Sequence, residues 1–131
     1  MKISVVGMGY VGCANALLLA QHNSVSIIDI DQQKVEDFNS GLLPIQDSMA
    51  AEYLAEKDLH IIATSSIEIG VKDADFIILA LPTDFDESTN LYNTDVIESV
   101  INQILLLNNT ATIIIKSTIN IGFTRYVRAK F

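Results

Sequence analysis

A glycine loop near the amino terminus has the spacing of a phosphate-binding turn. Gly7, Gly9 and Gly12 form G-x-G-x-x-G between a short apolar run at residues 2–6 and a helix-like segment at 10–22. In this context the first glycine permits a tight turn, the second lets backbone approach a pyrophosphate, and the third lets helix and strand pack closely. The start of the helix then offers free N–H groups to the diphosphate, so no basic residue is needed. The alternative is that three glycines merely make a tight turn.

An acidic residue follows at the distance that such a loop requires. Asp29 lies about twenty residues after Gly9, at the end of the second apolar run. There its carboxylate would accept hydrogen bonds from the hydroxyls of an adenosine ribose, whereas a 2′-phosphate would meet a like charge. Asp31 either adds to that repulsion or caps the next helix, and no arginine is near. The sequence therefore predicts a dinucleotide site that favours NAD over NADP.

The elements that must position these residues alternate along the chain. Short runs rich in Ile and Val predict strands buried on both faces. These runs are residues 2–6, 25–30, 59–63, 75–80 and 111–116. The segments with helical spacing are residues 10–22, 31–40 and 94–108. This alternation predicts an α/β fold of the Rossmann type, a doubly wound parallel sheet in three α/β/α layers.

Two segments depart from the alternation. Residues 41–57 predict an excursion with an extra helix from about Asp47, and residues 82–93 predict a polar loop where this fold contacts ligands. In the usual strand order 3-2-1-4-5-6, residues 111–115 form strand five, and its sixth neighbour would begin after Phe131. We therefore expect an uncovered edge at residues 111–115.

Composition excludes several classes of protein. The chain has 131 residues, half of them hydrophobic, which predicts one domain over residues 1–131. A net charge of −8 disfavours nucleic acid or an anionic membrane surface as a partner. The single cysteine, Cys13, cannot form an internal disulfide, and the separated His22 and His60 leave no metal-site spacing. We expect a reducing compartment, the cytoplasm, and no metal.

The hydropathy of residues 5–20 also fits a secretion signal, a lipid-attachment box or a membrane anchor. Each of these needs an apolar run without the interruptions that Gly7, Gly9 and Gly12 introduce. The spacing of the glycines favours the nucleotide loop.

Further motifs follow in a fixed order. Leu81-Pro82-Thr83 comes after strand four, and Lys116-Ser117-Thr118-Ile119 with Ile121-Gly122 comes after strand five. Together with the glycine loop, Asp29 and the stretch GLLPIQD at residues 41–47, these motifs resemble the UDP-glucose/GDP-mannose dehydrogenase family. The resemblance is to the N-terminal NAD-binding domain, spans the whole chain, and is greatest to the members that oxidise UDP-glucose.

The resemblance implies an enzyme that oxidises the 6-hydroxyl of a UDP-sugar to a carboxylate, using two NAD per turnover and a cysteine thiolate. It also implies a homo-oligomer. The implied cofactor-binding residues are Gly7, Gly9, Tyr10, Val11 and Gly12 at the pyrophosphate, Asp29 at the ribose, Lys34 at the adenosine side, and Thr83 and Thr118 close to the cofactor. Thr118 is also implied to orient catalytic water. Without the resemblance, both threonines would be turn or capping residues and Lys34 a solvated charge.

The family nucleophile lies in a glycine-rich segment far downstream, so it is not Cys13, which we expect to pack against the sheet. The acidic catalytic motif and the UDP-sugar domain of the family also lie beyond Phe131. We therefore expect this chain alone to bind NAD without oxidising the sugar. A stand-alone module that binds or senses NAD, or another hydroxyl dehydrogenase, remains an alternative, and the choice among UDP-glucose, UDP-mannosamine-type sugars and GDP-mannose stays open.

Overall fold

A parallel sheet of five strands runs through the centre of the molecule, in a computed structural model that describes all 131 residues. Its strands are β1 (Lys2–Val6), β2 (Ser24–Ile28), β3 (Ile61–Thr64), β4 (Phe76–Leu79) and β7 (Thr112–Ile115). They lie in the order β3-β2-β1-β4-β7, with Val5 opposite Ile27 on one side and Ile78 on the other. The predicted fold class and strand order are confirmed. The sequence predicted that β2 ends at residue 30, which is two residues beyond its observed end, since the pairing with β1 stops at Ile28.

Five helices lie between the strands, and a sixth follows β7. They are α1 (Tyr10–Ala20), α2 (Gln32–Asn39), α3 (Ser48–Glu56), α4 (Ile67–Val71), α5 (Asp95–Leu107) and α6 (Phe123–Lys130). The side chain of Asp31 accepts hydrogen bonds from two N–H groups in the first turn of α2, and Asp47 accepts one from Ala50 at the start of α3. Both aspartates therefore fix helix starts, as N-cap residues do. None of the helices is long and apolar enough to cross a membrane.

An apolar core lies on each face of the sheet. Val5 and Val6 are neighbours on β1, yet they belong to opposite cores because strand side chains alternate. Helices α1 and α2 cover the first core, where Cys13 is fully buried. Helices α4, α5 and α6 cover the second. The stretch that resembled a membrane anchor is thus the end of β1, the glycine turn and a helix that packs on the sheet.

The segment predicted as a polar loop contains a small antiparallel hairpin. Its strands are β5 (Phe85–Asp86) and β6 (Leu91–Tyr92). The rings of Phe85 and Tyr92 contact each other edge to face at 5.1 Å between centroids, and Asn90 takes the positive φ of 54° in the turn. Strands of two residues lie below the length at which alternation is visible in a sequence, which is why the prediction missed them.

The two outer strands of the sheet are protected differently. At β3, the side-chain amide of Asn39 accepts from the Ala63 N–H and donates to the Ala63 carbonyl, both at 2.9 Å. Asn39 therefore occupies backbone groups that another strand could use. Strand β7 pairs with β4 alone, and Ile114 on it is 37% exposed. An open edge beside isoleucines is a template for pairing with another chain.

We predict that the 131-residue chain self-associates through residues 111–115. Sedimentation velocity across a concentration series should show larger species for the wild type and fewer for Ile114→Lys, because a charge on β7 opposes strand pairing. Ile62→Lys on β3 is the matched control and should behave like the wild type. A wild-type chain that stays monomeric, with slowly exchanging amides in β7, would contradict this prediction.

Candidate functional site

A cleft of about 770 Å³ opens at the carboxyl ends of β1, β2 and β4. In open parallel sheets, ligands bind at this end, where the strand order reverses. Here the reversal falls between β1 and β4, because the chain runs outward from β1 to β2 and β3 and then crosses back to β4. The lining residues are Gly7, Met8, Gly9, Tyr10, Val11, Asp29, Ile30, Asp31, Lys34, Ala80, Leu81, Pro82, Val96 and Val100.

Two glycines of the loop are required by the packing of the protein itself. Gly7 has φ of +106°, and a Cβ there would lie 2.4 Å from the Ala80 carbonyl oxygen. A Cβ on Gly12 would lie 1.8 Å from the Gly7 carbonyl oxygen. Neither distance is compatible with a side chain, so these glycines set how closely β1, β4 and α1 approach one another.

Gly9 is different, because the packing of the chain does not require a glycine there. Its φ is −85°, which any residue adopts, and a Cβ would meet nothing within 4 Å. Gly9 is also the N-cap of α1, which has no side-chain cap and no acidic residue in its first turn. The first N–H groups of a helix lack intrahelical partners, so this end of α1 can bind an anion. The open space beside Gly9 leaves these N–H groups accessible to a ligand.

Asp29 connects the glycine loop to the end of β2. One of its carboxylate oxygens accepts from the Met8 N–H at 2.8 Å, and the other accepts from the Asp31 N–H at 3.0 Å. The side chain is only 13% exposed, and the Lys34 ammonium lies 3.9 Å from it. A partly buried carboxylate with unused lone pairs can accept further hydrogen bonds from ligand hydroxyls. No arginine is near Asp29 in the sequence, but in the structure the side chain of Lys34 lies beside it.

The other candidates fall into two groups. Tyr10 and Val11 are exposed and line the cleft, as does Lys34, whereas Asp31 acts as the cap of α2. Thr83 and Thr118 lie outside the lining, at the rim where β4 and β7 end. The structure therefore brings the glycine loop, Asp29 and Lys34 together and leaves both threonines beside the cleft rather than in it.

Cys13 is fully buried beneath the loop. Burial, and to a lesser extent the charge of Asp29, raise the pKa of its thiol from 9.0 to about 11, against a smaller opposing effect of Lys34. A thiol with a raised pKa stays protonated near neutral pH and is a poor nucleophile. Cys13 therefore acts as a small apolar core residue, as the sequence predicted. No group of histidine, cysteine and acidic side chains in the chain could hold a metal ion.

Two residues that the sequence analysis did not single out shape the rim. The Ser117 hydroxyl accepts from the Leu81 N–H at 2.8 Å, and the Asn120 side chain bonds to both backbone groups of Tyr92. These bonds connect positions 36 and 28 residues apart. Ser117 belongs to a quoted motif, but nothing in the local sequence indicates its partner.

Comparison with known proteins agrees with this geometry. The family model described as UDP-glucose/GDP-mannose dehydrogenase family, NAD binding domain, matches residues 1–130. UDP-glucose 6-dehydrogenase from Streptococcus pneumoniae is 43% identical over 131 residues, which cover 100% of this chain and 33% of that protein. The enzyme of the same name from Campylobacter jejuni is 40% identical over 133 residues, covering 100% of this chain and 34% of the relative. The chain thus spans about a third of the length of these relatives.

Solved structures share the fold. GDP-mannose dehydrogenase from Pseudomonas aeruginosa, solved as a ternary complex, superposes with a TM-score of 0.86 at 24% identity, covering 97% of this chain and 30% of that one. UDP-D-ManNAc dehydrogenase from Pyrococcus horikoshii gives a TM-score of 0.85 at 23% identity, with coverage of 99% and 31%.

We predict that the loop glycines differ in what they contribute to stability. Gly12→Ala should lower the free energy of unfolding by about 3 kcal/mol, because the new Cβ collides with backbone. Gly9→Ala should cost less than about 1 kcal/mol, the loss expected from a weaker N-cap alone. Urea unfolding of both variants measures the difference. Equal losses would mean that Gly9 is also fixed by packing.

We predict a pH dependence of stability that originates in Cys13. Because the thiol pKa is 9.0 when the chain is unfolded and about 11 when it is folded, burial of the neutral thiol stabilises the fold fully below pH 9. That contribution should fall by about 2 kcal/mol as the pH rises from 9 to 11. Cys13→Ala is the matched control, since it removes this titration and leaves the lysines and tyrosines. Wild-type and variant unfolding free energies that run parallel over this range would refute the raised pKa.

Proposed function

Because this chain belongs to the UDP-glucose/GDP-mannose dehydrogenase family, we propose that it is the NAD-binding part of a longer UDP-glucose 6-dehydrogenase. Relatives of that name are 40% and 43% identical to it, and the chain spans about a third of their length. The observation that carries the proposal is the space beside Gly9, at the uncapped start of α1 and next to Asp29, which accepts from the Met8 N–H. This space suits a diphosphate whose attached ribose reaches a carboxylate.

The roles of the cleft residues follow from their positions. Gly9, with the N–H groups of Tyr10 and Val11, would hold the pyrophosphate, while Gly7 and Gly12 let β1 and α1 pack closely enough to present these groups. The Asp29 carboxylate would accept from the ribose hydroxyls while it keeps its bond to the Met8 N–H, since each carboxylate oxygen can accept twice.

Lys34 would lie on the adenosine side of the ligand. It already pairs with Asp29, so it balances part of the charge that NAD meets there. Lys34 would also reduce the repulsion between Asp29 and the 2′-phosphate of NADP. We therefore assign the preference for NAD to the combined charge of Asp29 and Asp31, which exceeds that of the one lysine.

We assign the roles in the reaction to two threonines at the rim of the cleft. NAD, when bound, supplies the hydride acceptor for oxidation of UDP-glucose to UDP-glucuronate, two NAD being used per turnover. We assign Thr83 to the cofactor, and Thr118 to the cofactor and to the catalytic water. The nucleophilic cysteine would come from outside these 131 residues, because the buried, protonated Cys13 cannot serve. We therefore expect the chain alone to bind NAD and to leave UDP-glucose unoxidised.

We further propose a cytoplasmic homo-oligomer. A chain with a single, buried cysteine needs no oxidising compartment. In the 131-residue chain by itself, the open edge of β7 gives a second copy a surface on which to pair.

The proposal is tested by changing Asp29. Asp29→Ala should weaken NAD binding by about 1.5–3 kcal/mol, which is about 10- to 150-fold in Kd, through loss of the bonds to the ribose. The milder Asp29→Asn keeps an acceptor for the Met8 N–H but removes the charge, so NADP should bind at least about 10-fold more tightly than it binds the wild type. Calorimetric titration with NAD and NADP measures both effects.

Adding Lys34→Ala to Asp29→Asn provides the control. If Lys34 is the cation that a 2′-phosphate meets, the gain in NADP affinity should be lost in the double variant. Unchanged NAD affinity in Asp29→Ala would remove Asp29 from the site.

We predict that Thr118→Ala in the full-length enzyme lowers kcat more than it lowers NAD affinity. The hydroxyl lies outside the cleft lining, so its loss should leave most cofactor contacts in place. Steady-state assays with UDP-glucose, combined with NAD titration, separate the two quantities. A fall in NAD affinity alone would reassign Thr118 to binding.

A further inference from the structure

We propose that Asn120 is a positioning residue. Its side-chain amide holds the loop that carries Thr118 against the β5–β6 hairpin, and thereby fixes where the Thr118 hydroxyl stands at the rim of the cleft. The inference rests on the proposed function, which assigns Thr118 to the catalytic site.

The bonds of Asn120 are those that a neighbouring strand would make. Its Oδ1 accepts from the Tyr92 N–H and its Nδ2 donates to the Tyr92 carbonyl, both at 2.8 Å. Tyr92 lies on β6, opposite Phe85 of β5, so the amide stands where a third strand of the hairpin would stand. Both Asn120 and Tyr92 are half-buried, which shields the pair of bonds from water.

A second attachment lies just before Thr118. Ser117 accepts from the Leu81 N–H through its hydroxyl, and its own N–H donates to the Leu79 carbonyl at 3.1 Å. Thr118 thus lies between two residues, Ser117 and Asn120, that are both fastened to the segment following β4. That segment also carries Thr83.

The rest of the loop is held to β4 and to the second core by one backbone hydrogen bond and one apolar contact. The Lys116 N–H donates to the Leu79 carbonyl at 2.8 Å, and the half-buried Ile119 packs against the second core. Residues 116–122 belong to no helix or strand, and the side chain of Ile121 is fully exposed.

Thr118 is exposed and takes no part in these bonds. Because the amide of Asn120 makes the hydrogen bonds that attach the far side of Thr118 to the hairpin, its removal leaves the packing of Ile119 as the contact there and lets the loop shift relative to the cleft, while Ser117 still holds the near side. Displacements of about 1 Å at a reacting group can cost about 100-fold in rate.

The chain contains a matched control for this bond pair. Asn39 makes the same two bonds to one residue, Ala63, at 2.9 Å each, but at the β3 edge away from Thr118. Asn39→Ala therefore removes an equivalent pair of bonds far from the rim. It serves as the control for any general loss of stability. Asn120→Asp is the conservative variant, since a carboxylate still accepts from the Tyr92 N–H but cannot donate to its carbonyl.

The experiment is a double-mutant cycle in the full-length enzyme, with UDP-glucose and NAD as substrates. We expect Asn120→Ala to lower kcat by about 10-fold or more, and Asn120→Asp to lower it less, with Kd for NAD changed by less than about 2-fold in both. In a Thr118→Ala background, Asn120→Ala should lower kcat no further, because a positioning residue acts through the group it positions. Asn39→Ala should leave kcat unchanged.

Hydrogen exchange of the peptide that contains Tyr92 provides a reading independent of turnover. Its amide should exchange at least about 10-fold faster in Asn120→Ala and at the wild-type rate in Asn39→Ala. If Asn120→Ala does not fold, Asn120→Asp carries the cycle.

The outcomes separate this inference from the proposed function. If Thr118→Ala lowers kcat but Asn120→Ala does not, or if the two losses multiply, Asn120 does not position Thr118 and the proposed function still stands. If the full-length protein does not reduce NAD with UDP-glucose, or if Thr118→Ala leaves kcat unchanged, the assigned role of Thr118 fails and the inference fails with it.

Discussion

The close approach of α1 to the turn after β1 is the constraint on which the cleft depends. Gly12 lies so near the Gly7 carbonyl that a Cβ would stand 1.8 Å from it, and Gly7 in turn lies against the Ala80 carbonyl at the end of β4. Three backbones therefore meet with no side chain between them. Their contact directs the first turn of α1 at the point where β1, β2 and β4 end. A methyl group at either glycine would move the helix start, and the N–H groups of that turn would no longer face the space beside Gly9.

Elsewhere in the fold, asparagine side chains make hydrogen bonds to backbone groups that have no partner within a helix or strand. Asn39 occupies the outer edge of β3, and Asn120 takes the place of a third strand beside β6. The buried Asn108 donates to the Val71 and Ala74 carbonyls and thereby joins the end of α5 to the turn before β4. The bonds of Asn108 are buried, so the Ala74 carbonyl would otherwise lack a partner at a cost of about 1–3 kcal/mol, whereas the bonds of Asn39 and Asn120 are partly buried. Asparagine suits all three places because it can donate and accept at once.

The sequence predicted the parts of the molecule that repeat a local rule. Alternating apolar runs predicted the parallel sheet and its order, and the position of Asp31 before a helical segment indicated a cap that the structure contains. At Asp47 only the start of a helix was predicted, and the structure shows that this residue is its cap. What the sequence could not supply were contacts between distant positions. The hairpin at residues 85–92 is too short for a period, and the bond from Asn120 to Tyr92 spans 28 residues. The pairing of Lys34 with Asp29 is compatible with the sequence, since Lys34 lies five residues after Asp29 in the first turn of the next helix. Spacing alone, however, does not fix which way a lysine side chain points.

The charge of the chain explains why the steric constraint matters for binding as well as for folding. The protein carries a net charge of −8, and the charged residues lining the cleft are two acids and one base. A diphosphate entering it therefore gains nothing from the overall field and must be held by the dipoles of N–H groups at the start of α1. Such dipoles act only within about the first turn of a helix, with about 0.3–1 kcal/mol for each favourable charge at an exposed end. An anion must come close to benefit, and it can do so only because Gly9 presents no side chain in its way. The glycine loop thus lets α1 approach β1, through Gly7 and Gly12, and lets the ligand approach α1, through Gly9. In this way an acidic protein can bind an acidic cofactor without a basic cluster.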